Sequence, residues 1–167
     1  MERFGIGGGR PLRPSHFHRA NTWAGERGWR YGGIFQPVSQ RPHLADDEWA
    51  AYGRKISDFA DWCAGQGMPL AYHHHMAAAV ETEAELDLLM KHASVSLLYD
   101  AGHMAFAGGD VMRVIENHHA RITHVHTKDI RRTVVEGLGR TRESLLDAVI
   151  KGVFTVPGDG SLDFQAI

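Results

Sequence analysis

The sequence predicts an α/β fold in which parallel strands alternate with helices, and three observations carry that expectation. Apolar, strand-like runs begin near residues 69, 95 and 122, so they recur at intervals of about 26 or 27 residues. A helix-like pattern fills each interval, and no two-residue hairpin turn joins one run to the next. The first two runs end in histidine and aspartate, and the third carries two histidines. Right-handed crossovers of this kind build a parallel sheet, either a doubly wound open sheet or a piece of a (β/α)8 barrel. A complete barrel takes about 250 residues and at least roughly 200. The 167 residues present hold only part of one.

Taken in order, residues 1–38 stand apart. Gly7, Gly8 and Gly9, together with Arg3, Arg10, Arg13, Arg19, Arg27 and Arg30, surround aromatic islands that follow neither a strand nor a helix period. This segment is expected to be poorly structured, with the domain proper spanning residues 39–167. From Leu44 the pattern becomes helical: Asp46 and Asp47 precede Trp49, Tyr52, Ile56, Phe59, Ala60 and Cys63, and Gly65 and Gly67 end the run. Pro69 to His73 reads as a strand. Thr82 and Glu85 form a capping box ahead of Leu86, Leu89 and Met90. Val95 to Asp100 is an apolar run suited to burial on both faces, and Gly108, Gly109 and Asp110 lead to a helix bearing Val111, Val114 and Ile115. A strand from Ile122 to Thr127 and a charged linker from Lys128 to Arg142 follow. A helix through Leu145, Leu146, Val149 and Ile150 then ends at Gly152. Phe154 to Val156 is a further short strand, and Pro157 to Gly160 make a turn.

Composition narrows the chemistry. The formal charge of −2 leaves no whole-chain field for nucleic acid or an anionic membrane, and the apolar runs fall short of a membrane span. The lone Cys63 has no internal disulfide partner, and no signal peptide is recognisable, which points to the cytoplasm. Twelve histidines are the compositional outlier and direct attention to imidazole chemistry.

The ends of parallel strands lie along one rim about 4.8 Å apart. His73, His74 and His75 close the first strand, Asp100 the second, and His124 and His126 lie in the third. Imidazole and carboxylate on one rim suit Mn²⁺, Co²⁺, Fe²⁺ or Zn²⁺. Alternation puts His73 and His75 on one face and His74 on the other, where a structural role is expected. His103 is expected in the loop after Asp100, either binding substrate or merely exposed. Lys128 and Asp129 suit proton transfer or a surface ion pair equally well. Glu81, Glu83 and Glu85 read as helix-start residues, and His118 and His119 as surface groups compensating a helix dipole. GIGGGR lacks both a preceding strand and a following GK[ST], so it is no phosphate loop.

Five segments, SQRPHLADDEW, LAYHHHM, LLYDAGHMAFAGGD, ITHVHTKDIR and GVFTVPGDGSLDF, resemble in order the middle and late parts of the myo-inosose-2 dehydratases of inositol catabolism. The resemblance runs from about Ser39 to Ile167. It implies a partial xylose isomerase-like TIM barrel and dehydration of 2-keto-myo-inositol to a trihydroxycyclohexane-1,2-dione. It also implies a divalent metal, manganese or cobalt, with glutathione as an accessory. Carried over by motif, Asp100 and His126 are metal ligands, and His73 occupies a strand end where the wider superfamily often has glutamate. His75, His103 and Lys128 are assigned to substrate binding and proton transfer, with the base left open among them.

The departures carry expectations as well. The family usually has Gly-Thr after HHHM, where this chain has Ala77 and Ala78. The family's first strands belong before Ser39, and a last strand ending in an acidic metal ligand belongs after Ile167. The chain is therefore expected to be a fragment covering about the second half of a barrel, with a start that fits a misplaced initiation or shifted frame. Such a fragment is expected to turn over its keto-inositol substrate poorly and to self-associate through a free sheet edge. Two rival readings are an inactive remnant that binds metal or a partner chain, and a metal-dependent sugar isomerase or epimerase.

Overall fold

A computed structural model of the protein describes residues 35–167, and the expectation for the segment before them lies outside the described residues. The first helix, α1 (Trp49–Gly65), buries Trp49, Gly53, Ala60 and Cys63. It stops as anticipated, because Gly67 takes a left-handed φ of 75° and its N–H returns to the Ala64 carbonyl at 2.9 Å. Gly53 is required by contact: a Cβ there would lie 2.3 Å from the His92 carbonyl oxygen.

Three strands, β1 (Ala71–His73), β2 (Ser96–Asp100) and β3 (Ile122–His126), form a parallel sheet in the order β1-β2-β3. β1 opens two residues later than the pattern suggested, consistent with Pro69 having no N–H to give a ladder. Between β1 and β2 runs α2 (Glu83–His92), whose capping box is formed as the sequence predicts. Glu85 N–H donates to the Thr82 hydroxyl, and the Glu85 carboxylate accepts from the Thr82 N–H at 2.9 Å. Leu86, Leu89, Val95, Leu97, Tyr99 and Val114 fill the core between this sheet and its helices. Fully burying each large aliphatic chain contributes about 1.5–3 kcal/mol.

The segment after Asp100 departs from expectation. It is a helix, α3 (Ala101–Ala107), not a loop, and Asp100 is its N-cap. Seven residues containing a glycine are too few to display a period, so the pattern could not reveal it. Gly102 is there because a Cβ would meet the Lys128 carbonyl oxygen at 2.7 Å. α4 (Val111–His118) starts at Asp110, whose carboxylate accepts from the N–H groups of Met112 and Arg113.

The linker from Lys128 to Arg142 is not irregular either. It contains β4 (Asp129–Ile130) and α5 (Arg132–Glu136). After α6 (Leu145–Ile150), Gly152 turns the chain with a φ of 77°, and β5 (Phe154–Thr155) returns antiparallel to β4. The expectation of parallel strands throughout fails here, because these two strands form a small sheet of their own. A second core of Val38, Met76, Phe106, Leu138, Leu145, Ala148 and Val153 lies under it. Val38 N–H donates to the Glu143 carbonyl and Ser39 N–H to that of Arg140, so the single 3-10 turn Val38–Gln40 near the start of the described chain is laced to the segment before α6. No helix among the described residues is long and apolar enough to cross a membrane.

Candidate active site

At the C-terminal ends of β1, β2 and β3 one carboxylate gathers the surrounding basic groups. Asp100 is fully buried, and its Oδ2 lies 2.6 Å from Lys128 Nζ, 3.2 Å from His126 Nδ1, 3.4 Å from His73 Nε2 and 3.8 Å from His103 Nε2. The register explains the meeting, since Asp100 pairs directly with His126 and His73 ends the strand on the other side. The other oxygen, Oδ1, accepts the His103 N–H at 3.1 Å, which is the helix cap. Burial alone pushes the Asp100 carboxyl up, but the facing His73 ring, the Lys128 ammonium and the His103 contacts outweigh it and hold it well below the ordinary carboxylate range.

Hydrogen bonding fixes several proton positions. His74 is fully buried and its Nε2 accepts the Asp100 backbone N–H at 3.1 Å, so that ring is neutral; burial pushes its pKa down to about 4. The structural role expected for His74 is thus a direct bond to the strand that carries the carboxylate. His75 Nδ1 lies 2.6 Å from the Met76 carbonyl oxygen, which can only accept. Burial lowers the His75 pKa, so the neutral ring carries its proton on Nδ1 and leaves an Nε2 lone pair. His103 Nε2 accepts from Lys128 Nζ at 3.1 Å, and burial holds that ring neutral, down to about 2.

The rings of His75 and His103 lie 3.7 Å apart centre to centre, and those of His73 and His126 4.7 Å. Phe154 packs edge-on to His103 at 5.0 Å and lies 5.0 Å beneath the Lys128 ammonium, a cation–π contact. All six sequence-predicted site residues, His73, His75, Asp100, His103, His126 and Lys128, therefore meet in one cluster. His124 is exposed and apart from them, with its Nδ1 on the Thr123 hydroxyl. Asp129, weighed beside Lys128, is buried and accepts backbone N–H groups of Ile130, Gly158, Gly160, Ser161 and Leu162.

The donor set fits a divalent cation. Ligand atoms from His73, Asp100 and His103 lie within 4.8 Å of one another, and the buried His73 Nε2 has no hydrogen-bond partner among the described residues. A buried imidazole nitrogen without a partner costs free energy unless something else engages it. His126 faces the same carboxylate oxygen. Sequence reasoning assigned nothing to Phe154 or Arg41, although both stand inside the motifs GVFTVPGDG and SQRPH, and it gave Glu81 only a capping role.

A parallel sheet with its polar constellation on the C-terminal rim is the arrangement α/β enzymes use, in barrels and open sheets alike. A model of the xylose isomerase-like TIM barrel family matches residues 24–167, and the chain belongs to that family. It is 47% identical over 160 residues to the rhizopine catabolism protein MocC of Rhizobium meliloti, covering 95% of this chain and 48% of that protein. Against the inosose dehydratase of Geobacillus thermodenitrificans it is 41% identical over 131 residues, or 77% of this chain and 44% of the relative. The inosose dehydratase of Serratia proteamaculans is 39% identical over 140 residues, 81% and 46% respectively. The chain thus spans about half the length of the curated relatives it matches. The crystal structure of the probable 3-DHS dehydratase AsbF from Bacillus anthracis superposes with a TM-score of 0.53 at 15% identity, covering 89% of this chain and 57% of that one. That likeness is one of fold.

Proposed function

We propose that this site serves a lyase that removes water from 2-keto-myo-inositol to give a trihydroxycyclohexane-1,2-dione. The observation that carries the reading is the convergence of Asp100, four imidazoles and Lys128 on the rim, in a chain whose relatives include proteins named inosose dehydratase. A divalent ion, manganese or cobalt, held by His73, Asp100 and His126, would polarise the ketone and acidify the neighbouring C–H. His75 Nε2, the ring nitrogen with its lone pair free, takes the proton α to the carbonyl. Lys128 gives a proton to the departing β-hydroxyl, so one water leaves and the carbon–carbon double bond that forms tautomerises to the dione. His103 holds Lys128 in place and offers its Nδ1–H to a substrate hydroxyl.

Phe154 gives the site an apolar wall beside His103 and Lys128. Glutathione as an accessory, cytoplasmic location and self-association through the β3 edge, where Val125 is 60% exposed, complete the proposal. The test is ultraviolet absorbance of the dione as the protein is mixed with 2-keto-myo-inositol and Mn²⁺ or Co²⁺, with and without glutathione. Asp100→Asn is expected to lower turnover by about 100-fold or more. Metal-independent turnover that survives Asp100→Asn would reject the assignment.

A further inference from the structure

The loop that follows β1 holds a backbone conformation its own sequence disfavours. Ala77 has a φ of 62°, in the left-handed region, where a non-glycine residue costs about 1–2 kcal/mol. The peptide group joining Met76 to Ala77 is gripped at both ends. Its carbonyl oxygen accepts from His75 Nδ1 at 2.6 Å, and its N–H donates to Glu81 Oε2 at 2.7 Å. Glu81 is only 4% exposed, burial pushes its carboxyl above the ordinary range against the pull of the Ala77 N–H and the Arg41 guanidinium, and a carboxylate there needs a cation to remain ionised. Arg41 supplies it: Nε lies 3.3 Å from Glu81 Oε1, Nη2 donates to Glu85 Oε1 at 2.8 Å, and Nη1 donates to the Ala78 carbonyl at 3.3 Å. Arg41 belongs to the segment that also pairs, through Val38 and Ser39, with the residues before α6.

We infer that Glu81, paired with Arg41, is a positioning residue that sets the tautomer and aim of His75 through the Met76–Ala77 peptide. If that peptide rotates, His75 loses the carbonyl that fixes its proton on Nδ1, and the Nε2 lone pair is no longer presented to the site. The carboxylate polarises the same peptide, which strengthens the bond its carbonyl accepts. This inference rests on the role of His75 in the proposed dehydration. Neither Arg41 nor Glu81 touches the cluster around Asp100, so their effect passes through one ring.

The experiment is long-range proton–nitrogen correlation on free protein carrying ¹⁵N-histidine, with His75 assigned from a His75→Gln variant, beside kcat and KM for 2-keto-myo-inositol. The unaltered protein should show a protonated Nδ1 and an unprotonated Nε2 on His75. Glu81→Ala should shift that ring toward mixed tautomers and lower kcat by about tenfold, with KM within about threefold. Adding Ala77→Gly to Glu81→Ala should restore both readouts in large part, because glycine adopts the left-handed turn without a clamp. Glu81→Gln keeps an oxygen acceptor and should retain the tautomer. A His75 protonated on Nε2 in the unaltered protein overturns the inference, with no variant needed. Unchanged ring signals in Glu81→Ala overturn it as well. If the ring responds while no form of the 167-residue chain turns over substrate, the positioning holds and the dehydratase reading falls for this chain taken alone.

Discussion

The His74 ring links stability to acidity. Its pKa lies at about 4 against an ordinary 6.5, because burial disfavours the charged form. Below about pH 6.5 the unfolded chain binds a proton at this ring that the folded chain refuses until about pH 4, so stability falls across that window by about 3 kcal/mol. His103, lowered to about 2, and Asp100, held below the ordinary carboxylate range, act in the same direction and extend the loss toward lower pH. Urea unfolding at pH 7, 5.5 and 4.5 should show the decline, and His74→Gln, whose amide oxygen also accepts the Asp100 N–H, should flatten it. A second expectation concerns Lys128. Its ammonium sits 2.6 Å from the carboxylate oxygen that a divalent ion needs, so the two cations compete. Lys128→Met should tighten Mn²⁺ binding by about tenfold or more, since two like charges a few ångströms apart repel by several kcal/mol even at a moderate local dielectric. Titration calorimetry measures this directly, and weaker binding in the variant would place the ion elsewhere.

Elements built from apolar period and caps were legible in the sequence, and those built from reach across the chain were not. α2 was readable because Thr82 and Glu85 cap it locally and Leu86, Leu89 and Met90 share one face. The ends of β1 and β2 were readable because each closes on a residue an apolar strand would not otherwise contain, and β3 stops at His126, one residue before the expected Thr127. α3 was hidden because its cap, Asp100, already serves as a strand end, and β4 was hidden because two residues carry no period, whereas β5 falls within the short strand read from Phe154 to Val156. The small sheet they form depends on Asp129. Burial alone would push that carboxyl up, but the backbone N–H groups of residues 130, 158, 160, 161 and 162 hold it below its ordinary range. Nothing local in the sequence announces a carboxylate that collects donors some 30 positions away. Asp129→Asn turns an amide NH₂ toward donors and should cost about 3 kcal/mol of stability, read from the urea midpoint. It should also displace Lys128, one residue earlier, and so depress turnover more than a surface substitution of equal stability cost.

Across the whole molecule, the site is a junction between two packed bodies of side chains. His73, Asp100 and His126 stand on the sheet that the first core supports, whereas Phe154 comes from the small sheet above the second, and Lys128 leads into it. Asp100 joins them, since one of its oxygens holds the Lys128 ammonium and the other caps α3. Occupancy of the site and the integrity of α3 are therefore thermodynamically linked. A cation that engages Asp100 raises the free energy needed to open the first turn of α3, and amide deuterium uptake should reveal it. In the protein saturated with Mn²⁺, the peptide spanning residues 101–107 should exchange more slowly than without the ion, while the first turn of α4, capped independently by Asp110, should keep its rate.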